Sequence, residues 1–100
     1  MTAVLIPDFT SVRNHTERAV YDAVASEASQ HPGLAHNPEL LADVACVALN
    51  RLPPRYIRHD VDFSFYLTER ERSENETAIA EAVEFAFQFV QAKVAMRARR

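Results

Sequence analysis

Apolar positions along this chain recur mostly at the helical period. Ala19, Val20, Ala23, Val24 and Ala28 are spaced near 3.6 residues apart and predict a first helix. Ser11 and Asn14 are competent caps before it, and Glu17 and Asp22 place negative charge in its first turns. "SQHPGLAHNP" holds the only glycine and two prolines, and predicts a loop. Asn37-Pro38-Glu39 follows as a helix start: a cap, a proline at the first position, then an acid. The second helix runs through "ELLADVACVALNR" with Leu40, Leu41, Val44, Val47 and Ala48 as its stripe. Ala42, Ala45 and Cys46 are small enough to let another helix approach. Pro53 and Pro54 stop this helix by Leu52, because each restricts the residue before it.

The period then changes. "RYIRHDVDFSFYL" alternates partly at period two and predicts extended structure. A lone strand needs a partner, either from a second subunit or from the N-terminal "AVLI". Thr68 to Glu71 and Ser73 to Glu76 both read as capping boxes. No glycine or proline follows Pro54, so one long helix, with room for a short one before it, is predicted to the C-terminus. One of its apolar stripes is Ile79, Val83, Ala86, Val90 and Val94. A second is Ala82, Phe85, Phe89, Ala92 and Met96, with Phe87 between them. That surface is wider than one helix needs against a small core. It predicts a homodimer through this helix, with Val83, Phe85, Phe87, Phe89 and Val90 at the interface. The expected fold is mainly α: a small three-helix domain over residues 11–100, with a short extended segment, a long C-terminal helix and a flexible arm at residues 1–10.

Composition narrows the function. A hydrophobic content of 48% with 25% charged residues is that of a globular chain. The net charge of −3 argues against direct DNA binding, which calls for a basic surface. No run reaches the length of a membrane span, and the N-terminus lacks the basic start of a signal peptide. The expectation is a soluble, cytoplasmic protein. Cys46, the single cysteine, excludes an internal disulfide and reads as a small core residue. His15, His31, His36 and His59 have no metal-ligand spacing and read as surface or capping residues. There is no phosphate-binding glycine loop and no nucleophile–base pattern, so no enzyme is expected. Glu81 and Glu84 read as a solvated helix face.

"ALNRLPPRYIRHD" is the unusual stretch. It sets Arg51, Arg55 and Arg58 around a stiff Pro-Pro turn, with Asn50 and Tyr56 beside them. Arginine bonds phosphate oxygens in pairs, reads guanine edges and stacks on purines. Tyrosine adds a stacking ring, and the prolines reduce the ordering cost of binding. Asn50, Arg51, Arg55, Tyr56 and Arg58 are therefore the ligand-binding candidates. A structural role stands beside this one: Asn50 capping the second helix, Arg51 and Arg55 pairing with Asp43, Asp60 or Asp62, and Tyr56 in the core.

Asp43-Val44-Ala45-Cys46-Val47-Ala48-Leu49-Asn50-Arg51-Leu52-Pro53-Pro54-Arg55-Tyr56 resembles the signature of the late competence development protein ComFB family. Asn14, Glu17 and Val20 are similar to that family's first-helix pattern. The resemblance covers roughly residues 11–94. It implies a small non-enzymatic regulator with an unknown downstream protein partner. Cyclic dinucleotide binding, attributed to some members and linked to motility, pili and biofilm, makes cyclic-di-GMP or cyclic-di-AMP the implied ligand. The alternative is a ligand-free protein-interaction adaptor. Many relatives carry a Cys-x-x-Cys just before the aspartate. Here those positions read Asn37-Pro38-Glu39-Leu40, so no metal or other cofactor is expected.

Overall fold

The computed structural model describes residues 5–61 and 67–98. Arg13–Asn14 form β1, which leads directly into helix α1, His15–Glu27, and then a 3-10 turn, Ala28–Gln30. Helix α2 is Pro38–Leu49, β2 is Tyr56–Ile57, and α3 is Glu69–Ala98. The chain is mainly helical, as its periodicity predicts. No helix among the described residues is long and apolar enough to cross a membrane.

Each helix start follows from side-chain chemistry. The Asn14 side-chain oxygen accepts from the Thr16 N–H and caps α1. Asn37 accepts from the Leu40 N–H and caps α2, with Pro38 in the first turn. Thr68 and Glu71 make the reciprocal pair of a capping box. The Glu71 N–H donates to Thr68 Oγ1 at 3.1 Å, and the Thr68 N–H donates to Glu71 Oε2 at 3.2 Å. The second box pattern, Ser73 to Glu76, lies inside α3 and starts no helix. A helix already propagating supplies that segment's hydrogen bonds.

Among the described residues the extended segment is shorter than its alternation suggests, and it pairs with Arg13–Asn14. Of the described residues only Tyr56–Ile57 pair, antiparallel to Arg13–Asn14, with Arg13 opposite Ile57 and Asn14 opposite Tyr56. Asp60 and Val61 are already helical. The rest of the alternating run, residues 62–66, falls outside the described residues. The pairing is tied down by the His15 N–H, which donates to the Arg55 carbonyl at 2.7 Å. In the arm, Leu5, Ile6 and Phe9 are exposed. Asp8 accepts from the Thr10 N–H there, and that bond holds its carboxyl below the usual value.

The core sits where the three helices meet. Val20 and Val24 of α1, Val44, Ala45 and Ala48 of α2, and Ile79, Val83, Ala86, Phe87 and Val90 of α3 are buried, with Leu34 from the loop. Of the small residues on α2, Ala45 and Ala48 are buried in the core. Ala42 and Cys46 point outward. Cys46 is therefore an exposed thiol, not a core residue. His31 also departs from a surface role. Its ring stacks on Phe87 at 4.0 Å between centroids and 6° between planes, and Gln91 Nε2 lies 3.0 Å from its Nδ1.

The dimer-face assignment divides. Val83, Phe87 and Val90 are 0%, 0% and 3% exposed and belong to the chain's own core, so they are not available to a partner. Phe85 and Phe89 remain 39% and 48% exposed.

Candidate functional site

The Pro-Pro turn is anchored by the same side chain that caps α1. Asn14 Oδ1 accepts a second hydrogen bond, at 2.8 Å, from the Arg55 N–H. Residues 50–58 therefore hang between the end of α2 and the β1–β2 pair.

The candidate side chains diverge from this anchor. The Arg51 guanidinium lies 3.8 Å over the Phe85 ring, on the α3 side. Arg55 borders a groove with Leu67, Glu71, Glu74 and Asn75, where carboxylates repel an anionic ligand. Arg58 Nε donates to Ser11 Oγ at 3.2 Å. Tyr56 is 69% exposed on β2, so it is not in the core. Asp60 pairs with Arg13. Asn50 closes α2. Its Nδ2 donates to the Cys46 carbonyl at 3.0 Å and lies 3.6 Å from Cys46 Sγ.

One of the five candidates, Asn50, lines a groove that the pattern of core residues does not point to. It lies between α1 and α2, has a volume of about 640 Å³, and is walled by Tyr21, Val24, Ala25, Leu41, Ala42, Ala45, Cys46, Leu49 and Asn50. Its wall is almost wholly apolar, with Asn50 and the Tyr21 ring as the polar features. Arg51 follows Asn50 directly in the chain. The signal for it was present: Tyr21 and Ala25 sit one turn apart on α1, off the stripe used for the core.

A second groove, of about 340 Å³, lies on the other side of α2 against α3. Leu40, Asp43, Cys46, Val47, Phe89, Val90, Lys93, Val94 and Arg97 line it. Phe89 stacks on Phe85 with centroids 5.9 Å apart. Among the described residues no three His, Cys, Asp or Glu side chains come together as a metal site.

No curated protein and no solved structure matches the chain. A family model does: that of late competence development protein ComFB, over residues 13–94. This match spans most of the chain, including all of α1, α2 and the Pro-Pro turn, and the chain belongs to the ComFB family.

Proposed function

We propose that this chain is a non-enzymatic, cytoplasmic regulator that binds a cyclic dinucleotide, cyclic-di-GMP or cyclic-di-AMP, and works as a homodimer. The observation that carries the reading is the α1–α2 groove ending at Asn50. Ligand pockets are concave and apolar, with a few polar groups that fix orientation. A volume of about 640 Å³ falls within the range of small-molecule sites. Tyr21 offers a stacking face. Asn50 uses its Nδ2 on Cys46, which leaves its Oδ1 to accept from a purine N–H. Arg51, next to Asn50 in the chain, supplies charge to a phosphodiester once its guanidinium leaves the Phe85 ring.

Titration calorimetry with both dinucleotides tests the reading. Wild-type protein is expected to bind one of them, and Arg51→Ala to weaken that binding roughly tenfold to a hundredfold, as loss of a charge-assisted bond implies. Absence of binding by wild-type protein at high micromolar ligand overturns it. The adaptor reading then stands, favoured by the aliphatic lining of the groove, which also suits an apolar segment of a partner protein.

A further inference from the structure

Four exposed residues of α3 recur at intervals of four: Glu81, Phe85, Phe89 and Lys93. Residues at that spacing form one continuous ridge on a helix. Read in either direction, the ridge is charge, aromatic, aromatic, opposite charge. Its midpoint is the level of Phe87. Turning the helix end over end about that level exchanges Phe85 with Phe89 and Glu81 with Lys93. The ridge is its own complement.

We propose that α3 pairs antiparallel with α3 of a second copy, about a twofold axis at the level of Phe87. This rests on the homodimer reading above and gives it a register. Phe85 packs against the other copy's equivalent of Phe89. Glu81 pairs with the equivalent of Lys93, twice by symmetry.

Four observations favour a second copy as the occupant. A twofold interface requires one patch to be self-complementary, and this ridge satisfies that in both charge and shape. Neither Glu81 nor Lys93 has an ion-pair partner among the described residues. Both charges lie six residues from the midpoint, roughly 9 Å along the axis at 1.5 Å per residue. Phe85 and Phe89 already stack on each other, and Arg51 braces Phe85, so the apolar centre is preformed. The radius of gyration is 17.5 Å, against about 13 Å for a compact domain of this length. One chain leaves much of α3 uncovered. A parallel pairing, by contrast, sets Glu81 against Glu81 and Lys93 against Lys93. Asp43 and Arg97 flank Lys93 in the α2–α3 groove and sit at the edge of this interface.

The test is sedimentation equilibrium of the full chain without ligand. Wild-type protein is expected to dimerise, more weakly as salt rises. Glu81→Lys and Lys93→Glu should each raise the dimer Kd on the order of tenfold, because two symmetry-related pairs turn repulsive at once. The double variant E81K/K93E should return toward wild type, and mixing the two single variants should give the heterodimer. These residues are exposed, so unchanged helical circular dichroism is expected throughout. A monomeric wild type overturns both the register and the homodimer. A dimer insensitive to both reversals, or a double variant no tighter than the singles, overturns the register alone. Neither result bears on dinucleotide binding, which is measured separately.

Discussion

Replacing Asn14 with alanine removes one oxygen atom that holds two elements. Asn14 Oδ1 accepts from the Thr16 N–H at the start of α1 and from the Arg55 N–H in the Pro-Pro turn. Loss of the cap costs about 1 kcal/mol. Loss of the second bond costs about 1 kcal/mol more, since the site is only half-buried and water replaces part of it. The expected destabilisation is therefore about 2 kcal/mol, or a fall in Tm of roughly 8–16 °C for a domain of this size. Urea denaturation followed by circular dichroism measures the first quantity. Asn14→Asp keeps the acceptor and adds a favourable charge at the helix N-terminus, so it should stay within about 0.5 kcal/mol of wild type. Amide exchange at Thr16 and Arg55 should quicken in Asn14→Ala and not in Asn14→Asp. An alanine variant as stable as wild type, or an aspartate variant as weak as alanine, refutes the dual-anchor argument.

The same geometry sets other outcomes. Phe87→Ala empties the centre of the core and should cost about 3–5 kcal/mol in chemical denaturation, whereas Phe89→Ala, half-exposed, should cost far less. Arg55→Ala should change dinucleotide affinity less than Arg51→Ala in calorimetry, because Arg55 borders Glu71 and Glu74. Elemental analysis of purified protein should find no stoichiometric zinc, since Cys46 stands alone as a thiolate donor.

Helix starts were legible because each rests on a contact within a few residues. Asn37-Pro38-Glu39 and Thr68 to Glu71 act locally, and the structure places both as caps. Asn14 was one of two equally good caps for α1. What selects it is the Arg55 amide, 41 positions away in sequence. The strand partner was illegible for the same reason. "AVLI" has better strand propensity than Arg13-Asn14, but the antiparallel register is set by where α1 begins and where the prolines release the chain. Three clustered arginines looked like one site because they are close in sequence. The turn sends Arg51 to Phe85, Arg55 beside Glu71 and Glu74, and Arg58 to Ser11.

The two apolar stripes of α3 show where periodicity stops informing. Spacing separated Ile79, Val83, Ala86, Val90 and Val94 from Ala82, Phe85, Phe89, Ala92 and Met96, and the fold buries most of the first while leaving most of the second outside. Angle around a helix is local information. Which angles α1 and α2 occupy is not, so spacing alone gives Phe87 and Val83, central to the core, the same partner-facing reading as Phe85. Hydrophobicity alone does not separate these groups. Charge at the ends of a stripe does, because a buried stripe tolerates no unpaired Glu81 or Lys93. An apolar pair bracketed at four-residue spacing by opposite charges therefore marks a face that meets solvent or a partner, and on α3 only the Phe85–Phe89 ridge carries that mark.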